Sequence, residues 1–193
     1  MRPNDLATDL GTFQTDKAAL GYLPTYQSIA ETIGPSGRVC EVGVFQGGSL
    51  ELWQALFPQG LVVGIDHDPL ARWPQGTMQV VADQTDQTLP ARLQEVTATF
   101  DLIVEDASHD GDASRRTWEL LWPLVDAGGW YVIEDWMVGF PDWPGPGPSR
   151  PSMLACARSF LDCFKHPDGD VESVAYRYGM IILRKAGTAH GAH

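Results

Sequence analysis

Residues 38–49 read Arg38-Val-Cys-Glu41-Val-Gly43-Val-Phe45-Gln-Gly47-Gly48-Ser49, a short apolar run that breaks on glycines and passes into helical spacing from Ser49 to Phe57. A strand that turns on glycine lets the backbone come close to a ligand, and the helix that follows offers unpaired N–H groups at its start. The stretch is the first unit of a strand–helix–strand repeat.

Further short apolar runs follow at Leu61 to Ile65, Met78 to Ala82, Phe100 to Val104 and Trp130 to Ile133. Runs that are apolar without alternation suit strands covered on both faces, hence a mainly parallel sheet. Helical spacing recurs over Asp86 to Thr97 and Ala113 to Val125, with Ser49 and Asp86 placed as N-caps. Val171 to Tyr178 and Met180 to Arg184 are separated only by Gly179, too little for a crossover, and are expected as an antiparallel hairpin. The expected fold is α/β and Rossmann-like, a seven-stranded, mostly parallel sheet with a C-terminal antiparallel hairpin. Residues 1–36, with a proline-led helix over Pro24 to Ile33, are expected as a helical cover, 37–185 as the core of a single domain and 186–193 as a frayed tail.

A chain of 193 residues with 44% apolar and 20% charged residues can bury one core. Its net charge of −12 disfavours nucleic acid and anionic membrane surfaces as partners. No run approaches the ~18 apolar residues of a membrane span, and the acidic start lacks the apolar core of a signal peptide, so a cytoplasmic protein is expected. Three cysteines form no C-x-x-C pair; Cys156 and Cys163 are read on one helix, ~10 Å apart and beyond disulfide reach, as buried thiols. Self-association is left open.

The chemistry gathers at strand ends. Phe45 stands where a dinucleotide turn needs its second glycine, which counts against NAD. Glu41, two residues before Gly43 and followed by Gly47-Gly48-Ser49, resembles motif I of class I methyltransferases that use S-adenosylmethionine (SAM). Asp66, followed by His67, ends the second run, where a carboxylate can accept ribose hydroxyls. Asp83-Gln84 ends the third, where that fold places side chains beside the adenine amino group. Glu105-Asp106-Ala-Ser-His109 ends the fourth and Glu134-Asp135 the fifth. Four acids converging on one crevice need a cation, and ligands without thiolates favour a hard ion, Mg²⁺, with Mn²⁺ or Ca²⁺ as alternatives. Two other readings stay open: Glu134 pairs with an Arg or Lys while Asp135 caps a loop, and His109 is a loop residue. As a base, His109 can take a proton near neutral pH. The segment Trp136 to Arg150, with four prolines and three glycines, is expected as a lid whose Trp136, Phe140 and Trp143 either stack on a sugar or aglycone or pack the loop.

Taken together, Thr15-Asp16-Lys17 with Tyr22 and Tyr26, EVGVFQGGSLELWQALFP, VVGIDHDP, ADQTD, FDLIVEDASHD, LLWPLVDAGGWYVIEDW and YRYGMIILRK resemble the metal-dependent O-methyltransferases of antibiotic sugars. That group includes mycinamicin and rhamnosyl tetracenomycin O-methyltransferases, with cephalosporin hydroxylase-like relatives. The resemblance implies a SAM-dependent, Mg²⁺-assisted O-methyltransferase acting on a hydroxyl of a small natural product, a sugar or vicinal diol. By position it implies that Asp106, Glu134 and Asp135 bind metal and that His109 is the base, beside cofactor contacts from Glu41, Gly43, Gly47, Ser49, Asp66, His67, Asp83 and Gln84. Ala107 departs from the glycine of that pattern and is expected to resist a positive φ there. A NAD-dependent dehydrogenase and a non-catalytic SAM-binding partner subunit are the alternatives.

Overall fold

The computed structural model describes residues 12–145, 148–165 and 169–187. The tail expected at 186–193 and the start of the N-terminal cover therefore lie largely outside the described residues. The elements follow in the order α1 (Leu23–Ile33), β1 (Arg38–Val42), α2 (Gly48–Leu56), β2 (Leu61–Asp66), β3 (Met78–Val81), α3 (Leu89–Gln94), β4 (Phe100–Glu105), α4 (Gly111–Leu121), β5 (Val125–Glu134), α5 (Pro151–Ser159), β6 (Val171–Arg177) and β7 (Met180–Lys185).

Among the described residues, seven strands form one sheet in the order β3-β2-β1-β4-β5-β7-β6. The first five run parallel, and β7 runs antiparallel to both β5 and β6. Each central strand is buried on both faces, with successive side chains feeding opposite cores. Cys40, Val42, Ile65, Ile103 and Ile133 pack with Leu121, Met153 and Phe160 from the α4 and α5 side. Val39, Val62, Leu102, Val104 and Val132 pack with Tyr26, Ile29, Leu50 and Trp53 of α1 and α2 on the other. Trp53 is fully buried and meets Tyr26 edge to face, with centroids 4.7 Å apart. Truncating such a residue costs ~3–5 kcal/mol.

The chain reverses its direction of travel across the sheet between β1 and β4, so their C-terminal ends open a crevice at the switch point. This places the site.

Local chemistry moved several boundaries. The helix expected from Asp86 shortens to α3, because Asp86 accepts from the N–H of Thr88 at 2.8 Å in a tight turn, and Thr88 takes the cap position. Ser49 lies inside α2 instead of capping it; Gly47 holds the cap position in a left-handed conformation. Asp110 caps α4, accepting from Asp112 and Ala113 N–H at 3.1 Å each. Val125, expected in that helix, begins β5. The helix expected to carry both cysteines ends at Ser159 and passes into a 3₁₀ turn over Phe160–Phe164. The lid segment starts with a 3₁₀ turn over Trp136–Gly139, and Arg150 N–H ties back to the Val138 carbonyl at 2.6 Å. Ala107 has no positive φ, so the resistance expected there does not arise. Gly179, in the left-handed region at φ 72°, turns the hairpin where any Cβ would strike the Tyr22 ring.

Candidate active site

Val42 ends β1 and Gly43 turns at φ 98°, its N–H bonded to the Ile65 carbonyl at 2.8 Å. A Cβ at Gly43 would fall on the backbone carbonyl of Asp106, so only glycine lets the β1 and β4 loops meet. The loops border a cleft of about 1230 Å³. Its lining runs from Phe13 to Asp16, through Val42 to Gln46, Gly48 and Ser49, to the strand tips at Asp66 to Asp68, Ala82 to Gln84, Asp106 to His109 and Asp135.

Asp66 shapes the turn of this cleft. Its Oδ2 accepts the N–H groups of Val44 and Phe45 at 2.8 and 3.0 Å, and its Oδ1 accepts that of Asp68 at 2.9 Å. Burial alone would raise its pKa, but the three backbone donors outweigh burial and hold it below the usual carboxylate value. A carboxylate has about four acceptor positions, so roughly one stays open towards the cleft. Asp83 is likewise held low by Thr85, whose hydroxyl and N–H it accepts at 2.6 and 2.8 Å. Gln84 lines the cleft, yet its amide is engaged: it donates to Glu105 and Thr117 at 3.1 and 3.0 Å and accepts from Ser108 N–H at 3.2 Å. His67 lines the cleft and is exposed.

Beneath the cleft lies a second, buried layer. Glu41 is fully buried, accepts from Ser49 Oγ at 2.6 Å and Trp53 Nε1 at 3.0 Å, and is not among the lining residues. Its side chain fixes the start of α2 from below. Gly47 is not among the lining residues either. Lys17, 1% exposed, places Nζ 2.7 Å from Asp106 Oδ2, 2.9 Å from Glu134 Oε2 and 3.3 Å from Glu41 Oε1. Burial alone would lower its pKa, but Asp106, Glu134 and Glu41 overturn this and hold it well above the ordinary lysine value, so it stays charged. Tyr26 OH donates to Glu134 as well. Glu134 is thus paired with a lysine, the alternative the sequence had left open. Lys17 and Tyr26 come from a segment with no strand or glycine signature, and only their place in the upstream motif marked them.

The open corner is formed by three other groups. Asp106, His109 and Asp135 offer ligand atoms all within 4.8 Å of one another. His109 Nε2 is 3.9 Å from both Asp106 Oδ1 and Asp135 Oδ2. Asp135 Oδ1 accepts from Tyr22 OH at 2.7 Å. The geometry brings Asp106, Asp135 and His109 together; Glu134 is not in that group and is held by Lys17 and Tyr26. Phe45, His109 and Asp135 are the non-glycine residues with positive φ among the described residues, at 47°, 51° and 56°, and all three line this cleft. Backbone strain of ~1–3 kcal/mol each is held where side chains must be aimed. The two aspartate oxygens fit a hard divalent ion, and the imidazole stands beside the same space.

A family model described as a methyltransferase domain matches residues 40–136. The chain is 33% identical over 145 residues to demethylmacrocin O-methyltransferase of Streptomyces fradiae, covering 68% of this chain and 36% of that protein. It is 30% identical over 176 residues to 8-demethyl-8-(2-methoxy-alpha-L-rhamnosyl)-tetracenomycin-C 3'-O-methyltransferase of Streptomyces olivaceus, covering 83% and 45%. The chain spans less than half the length of these two relatives. A solved structure of MycE methyltransferase from the mycinamycin biosynthetic pathway, in complex with Mg, SAH and mycinamycin VI, shares the fold with a TM-score of 0.73 at 24% identity, over 99% of this chain and 56% of that one.

Proposed function

The chain belongs to the methyltransferase family, and from that premise we propose that it transfers a methyl group from SAM to a hydroxyl of a sugar-bearing small natural product, assisted by Mg²⁺. The observation that carries this reading is the open corner of Asp106, His109 and Asp135 at one end of a cleft whose other end is the glycine turn and the acids of β2 and β3. SAM supplies an electrophilic methyl on sulfonium, and a bound divalent ion supplies positive charge that acidifies and orients an acceptor hydroxyl.

The residues of the chain divide this work. The Gly43 to Gln46 turn, held open by Asp66, lets backbone approach the cofactor, and the remaining acceptor position of Asp66 serves a ribose hydroxyl. Asp106 and Asp135 would hold the metal, with Glu134 able to join only by leaving Lys17. His109 Nε2 faces the same corner and takes the proton of the acceptor hydroxyl. Lys17 and Tyr22 hold Asp106 and Asp135 by one oxygen each, which leaves the other carboxylate oxygen turned to the corner. Free thiols at Cys40, Cys156 and Cys163 fit a reducing compartment, which supports the cytoplasm. No described helix is long and apolar enough to cross a membrane.

Titrating Mg²⁺ into SAH-saturated protein by calorimetry tests the assignment. Binding that weakens at least about ten-fold in both Asp106→Asn and Asp135→Asn supports it. Equal binding in both folded variants removes it.

A further inference from the structure

Beyond Asp135 the chain builds a second recess of about 560 Å³, walled by Trp136, Met137, Phe140, Trp143, Tyr176 and Tyr178. We propose that this recess takes the apolar body of the acceptor, its aglycone, while the sugar lies in the neighbouring cleft; the inference rests on the reading of the chain as a glycoside O-methyltransferase.

Two observations point to an apolar ring system in place of a second sugar. The first is that the ring N–H of Trp136 and the hydroxyl of Tyr176 are already engaged, although Asp142 and Arg177 line the recess too. Trp136 Nε1 donates to the Arg177 carbonyl at 2.9 Å, and Tyr176 OH donates to the Ala157 carbonyl at 2.6 Å. A sugar lying on these ring faces would surrender hydroxyl–water bonds that the rings cannot replace, whereas an apolar body loses nothing of the kind. The second is the order of the rings. Trp136 meets Phe140 with centroids 5.4 Å apart and Tyr176 at 5.9 Å, tilted by 53° and 72°, so the three form a fixed angular wall. Phe140, Tyr176 and Tyr178 are nevertheless exposed, a cluster that marks a contact surface more than scattered apolar residues do.

The recess is coupled to the reaction corner by a short wall. Trp136 follows Asp135 in the chain, and Tyr22 OH lies 2.7 Å from Asp135 Oδ1 and 4.0 Å from Met137 Sδ. A molecule with a sugar at Asp135 and a rigid apolar body attached to it therefore reaches both chambers at once.

The test compares naphthyl α-L-rhamnoside with methyl α-L-rhamnoside by fluorescence titration of SAH- and Mg²⁺-loaded protein, in wild type, Tyr178→Ala and Phe140→Ala. Both side chains are exposed, and a thermal shift confirms that each variant is folded before it is compared. The expected result is that the naphthyl glycoside binds about ten-fold tighter or better, that each variant brings the two glycosides to within about two- to three-fold, and that SAH affinity does not move. Equal binding of the glycosides to wild type overturns the inference. So does a naphthyl preference that survives both variants, including the case where Tyr178→Ala instead dissociates a dimer on sedimentation, which would give the surface to a second copy. If neither rhamnoside is methylated but naphthol alone still binds wild type and loses affinity in Tyr178→Ala, the recess stands and the glycoside reading fails.

Discussion

Lys17 Nζ lies 2.7 Å from Asp106 Oδ2, while Asp106 Oδ1 lies 3.9 Å from His109 Nε2 on the cleft side. One carboxylate thus joins a buried ammonium to the open corner of the cleft. The same ammonium also faces Glu134 and Glu41, which are otherwise sealed from water and whose pKa burial raises in spite of it. Lys17→Met strands three acids at once and should destabilise the protein by about 3–5 kcal/mol, the range for breaking a buried ion pair from one side. Urea unfolding measures it, and a loss under about 1 kcal/mol would show that the layer is not held by this charge.

Gly43→Ala should be among the most damaging single-methyl changes in the chain. Its Cβ meets the Asp106 carbonyl, and φ at 98° is closed to alanine. Overpacking and backbone strain together should cost about 2–5 kcal/mol, with SAH binding reduced in parallel. Thermal shift with and without SAH reads both effects.

Acid stability should depend on Asp101. Burial would raise its pKa, but Arg38, bonded through its guanidinium and its backbone N–H at 2.8–2.9 Å, holds it below the usual value. A depressed carboxyl contributes stability that is present above its unfolded pKa of ~3.9 and is lost as pH falls through the lower folded value. The stability gap between wild type and Asp101→Asn should therefore be widest near neutrality and narrow below about pH 4. Urea unfolding across that range checks it; a gap that is constant with pH contradicts the assignment.

His109→Ala should lower kcat by ~10²–10⁴ while SAH affinity is kept, as expected for a positioned base. The residue sits at φ 51°, which alanine resists, so His109→Asn, tolerant of that backbone, separates lost proton transfer from lost geometry. Retention of near wild-type kcat in a folded His109→Asn protein would remove the base role.

The sheet was readable because its strands are continuous apolar runs between glycine and acid punctuation, and Gly179 alone sufficed to read the hairpin. The site acids were readable for the same reason, since the fold puts every strand end in one crevice. What each acid does there was not. Glu41, Glu134 and Asp135 look alike in sequence, and the difference lies in long-range partners, Trp53, Lys17 and Tyr22, that no local pattern encodes. The α3 boundary failed because Asp86 spent its side chain on a turn, a competition between cap and loop that the same residue type serves equally well. Ala107 raised an expectation of strain that the loop places instead on His109, two residues later.

Methyl transfer to a sugar hydroxyl, helped by a divalent ion at Asp106 and Asp135, is the function proposed for this cleft. The most direct measurement is single-turnover methyl transfer from SAM to a rhamnoside, followed by mass spectrometry, on chelator-treated protein with and without restored Mg²⁺. The expected result is one methyl group gained on the sugar when Mg²⁺ is present, almost none without it, and almost none in Asp106→Asn under either condition. Transfer that proceeds equally after exhaustive chelation, or a SAM-loaded protein that transfers nothing with Mg²⁺ restored, would contradict it.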